Sequence, residues 1–465
     1  MIFLMTLAFF AGLTYHTVNL MVHSQEWVTH PMNFHLPDHD ELEYAGKILD
    51  RNGVVLAQSI DHRRVYHPEE TVRKACVHVV GDNSVKIGTA VQTVRRSSLT
   101  HFDYSGNIVF GLGLPDVFKS GQEIVPRGTD IRLTIDSTLQ TAALEALGDY
   151  KGAVVFYNYK TGEIVCMVST PTYDPQNVPE DIETNPAYDG AYLNRAVSAA
   201  YPPGSTFKLV TAAAAISEAP GIENTEYECI GKDTVGEDTV SCFAVNGIPT
   251  AHGKITLKTA LSQSCNLYFA KLALALGKDR MTYYAEKMGF NSSLEFDGIS
   301  VKSSLYNVSD ATENQLAWSG VGQYTVLETP INMAMISAAI ANGGTPVMPY
   351  LIETIGGKQE NTVTMAKPMM SKSAADLLYE MMDETVLYNY GKDTFCAELD
   401  VCAKTGTAEV GENIAHAWVT GFCKNEACPL AFAVIAEYGN NSFQAAVPVA
   451  SKVLYCAAEQ MKSGN

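Results

Sequence analysis

The fold turns on the stretch Tyr201-Pro202-Pro203-Gly204-Ser205-Thr206-Phe207-Lys208. A Pro-Pro-Gly turn runs straight into the alanine-rich apolar segment 209–216, which reads as a buried helix. Ser205 then falls in the first helical turn, where unpaired backbone N–H groups and the positive dipole end favour a developing negative charge. Lys208, three residues on, shares its face. A serine hydroxyl is a weak nucleophile until a neighbouring base takes its proton. A lysine serves as that base only when burial or a second cation lowers its pKa. Taken alone, the same stretch also fits a helix-capping serine beside a solvated lysine.

Working outward, residues 152–157 and 163–169 are strand-like runs joined by Asn158-Tyr159-Lys160-Thr161-Gly162, a predicted hairpin. Residues 257–288 read as a helical region. Residues 330–341 form another, ended by Asn342-Gly343-Gly344, and 373–388 a third, amphipathic one. Strand-like runs return at 415–422 and 430–437 before a last helix over 443–461. Strands at both ends with helices between predict an α+β unit over 149–465 whose sheet is assembled from distant parts of the chain. Upstream, 25–148 reads as a separate β-rich module. Asn52-Gly53 between apolar runs signals a hairpin. Short strands and turns follow to Gly128 with no long helix. Then comes a strand over 130–135, and Asp136 is placed to cap a helix through Leu147.

The 465 residues suffice for two or three domains, and the mean hydropathy near zero allows a sizeable core. With 51 acidic against 32 basic residues the net charge is −19, and no basic stretch stands out, which excludes a nucleic-acid partner. Residues 2–22 contain no Asp, Glu, Lys or Arg and are long enough to span a bilayer, although His16 and Asn19 interrupt the second half. No signal-peptide cleavage pattern follows. A single-pass anchor over 1–24 is expected, a buried helix being the alternative, with a proline-punctuated connector at 26–43. The first Lys or Arg is Lys47, so charge sets no orientation.

Ten cysteines in so long a chain do not make a disulfide scaffold. Cys229/Cys242, Cys396/Cys402 and Cys423/Cys428 lie close in sequence, and a bridge in the last pair would close a hairpin. No histidine stands at zinc-ligand spacing and no C-x-x-C occurs, so free thiols and no metal are expected.

Three short motifs occur in order: Ser205-x-x-Lys208, Ser264-Cys265-Asn266 and Lys404-Thr405-Gly406. The chain also carries decoys. A second Lys-Thr-Gly occupies 160–162, Lys-Ser-Gly stands at 119–121 and 462–464, and S-x-N recurs at 105–107 and 463–465. Context separates them, since 160–162 is the turn of the predicted hairpin and 462–465 a terminus. No other S-x-x-K exists in the chain.

This ordered set is the signature of penicillin-binding proteins and class A β-lactamases. The chain resembles a monofunctional (class B) penicillin-binding transpeptidase. The likeness extends to Asn194-Arg195-Ala196 ahead of the serine, Gly162-Glu163-Ile164-Val165 with Ser169-Thr170-Pro171, and His416-Ala417-Trp418 with Gly421-Phe422. Asp50-Arg51-Asn52-Gly53 with Leu56-Ala57 resembles the start of the family's non-catalytic pedestal module. The departures are Cys265 in the middle of the second motif, Gly322-Gln323-Tyr324 where relatives carry G-Q-G, and Ala45-Gly46 in place of Arg-Gly.

The resemblance implies an antiparallel sheet with helices on both faces, no cofactor, and attack by Ser205 on a D-Ala-D-Ala peptide bond. Lys208 is then the general base, and the backbone N–H groups of Ser205 and Thr407 form the oxyanion hole. Ser264 and Asn266 relay a proton and orient the substrate. Lys404, Thr405, Gly406 and Thr407 hold its carboxylate end, with the charge of Lys404 helping to keep Lys208 neutral. An amine from a second peptidoglycan stem peptide resolves the acyl-enzyme, and β-lactams trap it.

The same resemblance places the protein in the bacterial cell membrane, with the catalytic unit on the extracytoplasmic side. It also implies a separate membrane glycan polymerase as partner, since no E-D-x-x-F block precedes the module. A β-lactamase or β-lactam sensor on the same fold is the rival reading. Glu313-Asn314-Gln315-Leu316-Ala317, however, only half-matches the deacylating E-x-x-L-N of class A β-lactamases. A non-catalytic scaffold would need a broken motif, and all three are intact.

Overall fold

The computed structural model describes residues 2–22, 42–100 and 128–463. The S-x-N at 105–107, the Lys-Ser-Gly at 119–121 and most of the connector at 26–43 lie outside these residues.

Five antiparallel strands form the central sheet, in the order Val401–Gly411, Ile414–Cys423, Leu430–Ala436, Gly152–Asn158, Ile164–Thr170. The last two are the hairpin expected around Asn158–Gly162, and the sheet joins the two ends of the unit as the element order predicts. Its inner strands Leu430–Ala436 and Gly152–Asn158 read as nearly unbroken apolar runs because both faces are covered. Ala153, Val155 and Tyr157 face one core with the helices Lys208–Glu218 and Pro330–Ala341. Val154 and Phe156 face the other core, built with Ser137–Leu147 and Ala446–Ser463. Asp136 caps the first of these, its carboxylate accepting from the N–H groups of Thr138 and Leu139. Helix, sheet and helix thus make the α+β architecture expected.

The upstream module departs from its purely strand-and-turn reading. It holds an 11-residue helix, Glu70–Val80, whose Val72, Cys76 and Val79 are buried. Val, Thr and Cys are weak helix formers, so local propensity hides a helix that tertiary packing stabilises. The module's sheet is six-stranded, running Lys358–Gln359, Ile352–Ile355, Ile131–Leu133, Ile48–Leu49, Val55–Ile60, Arg63–Tyr66. Two of its strands are therefore contributed from beyond residue 350, a long-range pairing that no local pattern signals.

Ile2–Val22 is one helix of 21 residues, with Phe3, Phe9 and Phe10 exposed. Among the described residues, no helix is long and apolar enough to cross a membrane.

The predicted helical region at 257–288 opens with Leu257–Ser262 and continues as Asn266–Lys287, which is itself kinked at Gly277, where φ is 72°. The break between the two falls at Ser264, whose φ of 55° takes the chain out of helical geometry. That break places the second motif at the start of the segment Asn266–Lys287.

Candidate active site

Ser205 lies in a tight 3₁₀ turn, Gly204–Phe207, that opens the buried helix Lys208–Glu218. The turn is pressed against the strand carrying the third motif. A methyl group on Gly406 would stand 2.6 Å from the Pro203 carbonyl oxygen, so only glycine lets strand and turn approach. From the neighbouring strand, Trp418 Nε1 donates to the Pro202 carbonyl at 2.9 Å and fixes the other side of the turn. Ser442 Oγ donates to the Gly406 carbonyl at 2.7 Å. The serine is therefore positioned by backbone packing on both flanks.

Lys208 is fully buried, and its Nζ lies 3.0 Å from Ser205 Oγ, 2.7 Å from the Ser264 carbonyl oxygen and 2.7 Å from Asn266 Oδ1. Asn266 Nδ2 donates to the Ser241 carbonyl at 2.9 Å, which turns Oδ1 towards the lysine. A neutral amine has two hydrogens and one lone pair. The two nearest partners can only accept, so they take the hydrogens and leave the lone pair for the Ser205 hydroxyl. Burial pushes the Lys208 pKa down to about 7. An amine so placed is a ready proton acceptor at neutral pH.

Lys404 is the second fully buried lysine. Its Nζ is 3.1 Å from Ser264 Oγ and 2.9 Å from the Thr405 carbonyl, and Ser264 Oγ is 3.2 Å from Lys208 Nζ. One hydroxyl thus connects both lysine nitrogens. Burial, and after it the charge of Lys208, holds Lys404 well below the usual lysine range. Burial is the leading cause of the Lys208 shift, and the repulsion between the two lysines appears in the lowering of Lys404.

The three motifs converge on one cleft of about 800 Å³, lined among others by Ser205, Ser264, Asn266, Thr405, Thr407, Gln315 and Trp318. Glu313 does not line it. The decoy Lys160-Thr161-Gly162 sits on the hairpin turn, its exposed Lys160 reaching Asn342 Oδ1 at 3.2 Å. A residue that no motif announces anchors Thr405. Tyr390 Oη accepts from the Thr405 N–H at 3.0 Å and meets Thr405 Oγ1 at 2.9 Å. It is delivered by a stretch of wide helical turns, Thr385–Tyr390, that prolongs the helix Lys372–Glu384.

None of the ten cysteines is paired in a disulfide in this structure. The expectation of no metal site takes no account of folding. It rested on spacing along the chain, yet His252 comes to rest beside Cys229, Cys242 and Cys265, their ligand atoms all within 4.8 Å of one another.

Residues 152–455 match the family model described as the penicillin binding protein transpeptidase domain. The chain is 31% identical over 364 residues to the peptidoglycan D,D-transpeptidase PbpA of Mycolicibacterium smegmatis, covering 72% of each protein. It superposes on the ceftriaxone acyl-enzyme of penicillin-binding protein A from M. tuberculosis with a TM-score of 0.77 at 27% identity, over 90% of this chain and 99% of that one. The D,D-transpeptidase domain of an Eggerthella lenta peptidoglycan glycosyltransferase fits equally well, with a TM-score of 0.77 at 28% identity over 91% and 100% of the two chains. With its three motifs in one cleft on this fold, the chain belongs to the class B penicillin-binding proteins.

Proposed function

We infer that the protein is a serine-type peptidoglycan D,D-transpeptidase in which Ser205 carries the acyl group. The observation that carries the assignment of Ser205 is the buried Lys208 amine at 3.0 Å from its hydroxyl, with both amine hydrogens already directed elsewhere. Ser205 Oγ attacks the carbonyl carbon of the D-Ala-D-Ala peptide bond while its proton passes to Lys208 Nζ. The developing oxyanion is received by the backbone N–H groups of Ser205 and Thr407. Ser264 Oγ, within hydrogen-bond reach of both lysines, hands a proton to the departing D-alanine amine and regains one from Lys208. Lys404, Thr405 and Gly406 hold the substrate carboxylate. An acceptor amine then attacks the Ser205 ester, forming the cross-link and returning the serine.

A β-lactam enters the same sequence, but its amine stays tethered to the acyl group. The absence of Glu313 from the cleft lining favours slow hydrolysis, hence a transpeptidase over a β-lactamase. Fluorescent penicillin labelling tests the assignment. The wild type is expected to label, and Ser205→Ala not at all; equal labelling of both would sink it. Rapid release of hydrolysed penicillin would instead favour the β-lactamase reading.

The helix Ile2–Val22 is proposed as a single-pass anchor in a bacterial cell membrane, with the cleft on the extracytoplasmic side and a separate glycan polymerase as partner. Its uncharged sequence and exposed phenylalanines support this. Recovery of the full chain from washed membranes, lost on deletion of residues 2–22, tests it.

A further inference from the structure

The strand Val401–Gly411 lies at the edge of the central sheet, so every second residue turns its peptide groups away from the neighbouring strand. Thr405, Thr407 and Glu409 are those residues, and their side chains share one face. Two of the three are already occupied. The Thr405 N–H donates to Tyr390 Oη at 3.0 Å, and its carbonyl accepts from Lys404 Nζ at 2.9 Å. Gln323 turns its side-chain amide to Glu409, donating to the carbonyl at 3.2 Å and accepting from the N–H at 2.9 Å. Left-handed backbone flanks that glutamine, Gly322 at φ 76° and Tyr324 at φ 67°. The Gly322 carbonyl in turn accepts from the Gly204 N–H of the Ser205 turn at 3.0 Å. Thr407 is left as the open rung between two closed ones.

The direction of a peptide along this edge follows. With the substrate carboxylate at Lys404, Thr405 and Gly406 and the scissile carbonyl at the Thr407 N–H, the donor runs antiparallel to the strand. The residue before D-Ala-D-Ala then lies toward Glu409. Gln323 denies that residue a backbone rung, so it meets Glu409 through its side chain. Glu409 is exposed and carries the only carboxylate among the described residues that line the cleft, which include no lysine or arginine. Among the described residues its carboxylate has no ion-pair partner. About 13 Å of strand from Thr405 to Glu409 thus separates an end built for a carboxylate from an acidic end open to a cation.

The reaction supplies the cation. Cross-linking uses the free amine of a second stem peptide, and donor and acceptor are copies of one molecule. The donor therefore carries the same amine, and because alanine side chains are methyl groups, that amine lies N-terminal to D-Ala-D-Ala. Resting on the transpeptidase reading above, we propose that Glu409 docks the side-chain ammonium of the residue preceding D-Ala-D-Ala in the donor, while Gln323 holds the Glu409 backbone in place. Glu409 selects the substrate and takes no part in bond making.

Competition with fluorescent penicillin separates this docking from the reading beneath it. Two peptides are compared, Nα-acetyl-L-lysyl-D-Ala-D-Ala with its side-chain amine free and the same peptide with that amine acetylated. In the wild type the free amine is expected to lower the concentration that half-protects Ser205 about threefold to tenfold, the range of an ion pair in a partly enclosed site. Glu409→Gln should bring this ratio to about one, and Glu409→Asp should keep part of it. Glu412→Gln, on the exposed turn after the strand and outside the cleft lining, should leave the ratio unchanged. The ratio is internal to each protein, so a general loss of activity does not move it. If Glu409→Gln fails to fold, raising the ionic strength of the wild type should still shrink the ratio toward one. A wild type that labels but is protected equally, or not at all, by the two peptides overturns the docking alone. So does a preference that survives in Glu409→Gln; if that variant also yields less aminolysed product, Glu409 serves the acceptor amine instead. No labelling of the wild type would remove the transpeptidase reading and the docking with it.

Discussion

The tripeptide Lys-Thr-Gly occurs twice in the catalytic unit, and the two copies have opposite fates. At 160–162 it closes a hairpin, with Lys160 exposed, Thr161 bonded to Glu163 and Gly162 at φ 91°, a conformation L side chains avoid. At 404–406 it is strand. Lys404 is wholly buried, Thr405 is gripped by Tyr390, and Gly406 is present for lack of a side chain where the Ser205 turn presses in. Gly162 serves backbone freedom as well as close approach, Gly406 close approach alone. What separates the copies is the partner each meets across the fold, so substitutions that are equal in sequence should be unequal in effect.

The largest contrast is between the lysines. Lys404→Ala is expected to slow penicillin acylation on the order of a hundredfold to a thousandfold, the scale of losing one preorganised electrostatic contact. Lys160→Ala should stay within about twofold, as exposed substitutions do. Stopped-flow acylation kinetics read both. Comparable losses in the two variants would break the comparison.

That contrast also marks how far sequence patterns reach. Ordered motifs, the Asn158–Gly162 turn and the Asp136 cap are local signals, and the sheet, its covering helices and the three-motif cleft follow from them. The helix Glu70–Val80, the two strands lent to the upstream sheet and the grip of Tyr390 depend on packing between distant segments. The cysteine–histidine cluster shows this most sharply. Its side chains lie in or beside four elements that pairing and capping bring together, so no spacing rule finds them.

The glycines should differ in kind more than in size. Gly162→Ala costs about 1–2 kcal/mol for its left-handed backbone, beside a collision with the Met348 carbonyl. Gly406→Ala costs about 1–3 kcal/mol through overpacking. Thermal unfolding should register both. Only Gly406→Ala should also slow acylation of the folded protein, since it displaces the Ser205 turn. Normal acylation by Gly406→Ala would show that turn and strand are not held in register as described.

The pH profile sharpens the account of the buried pair. Lys208, pushed down to about 7, is a free base above that pH and protonated below it. Acylation should therefore rise about tenfold per unit up to pH ~7 and then level off. Because burial leads the shift, the midpoint in Lys404→Met should stay within about half a unit, a change worth under 1 kcal/mol. A rise of more than a unit would make the charge of Lys404, and not burial, the principal cause.

The smallest effect tests how each threonine is held. Tyr390 contributes an acceptor to the Thr405 N–H and a partner to its hydroxyl, whereas Thr161 leans on a carboxylate at the surface. Tyr390→Phe keeps the ring and removes the oxygen, leaving a backbone N–H to find water in the cleft. A lost hydrogen bond of about 1 kcal/mol corresponds to roughly fivefold. If Thr405 binds the carboxylate of the incoming β-lactam, that loss falls on the dissociation constant preceding acylation, and the limiting acylation rate is unchanged. Glu163→Gln, the matching change at the other tripeptide, should alter neither. A fall in the limiting rate of Tyr390→Phe, with binding intact, would place Tyr390 in the chemistry of Ser205 and leave the hold on Thr405 without consequence.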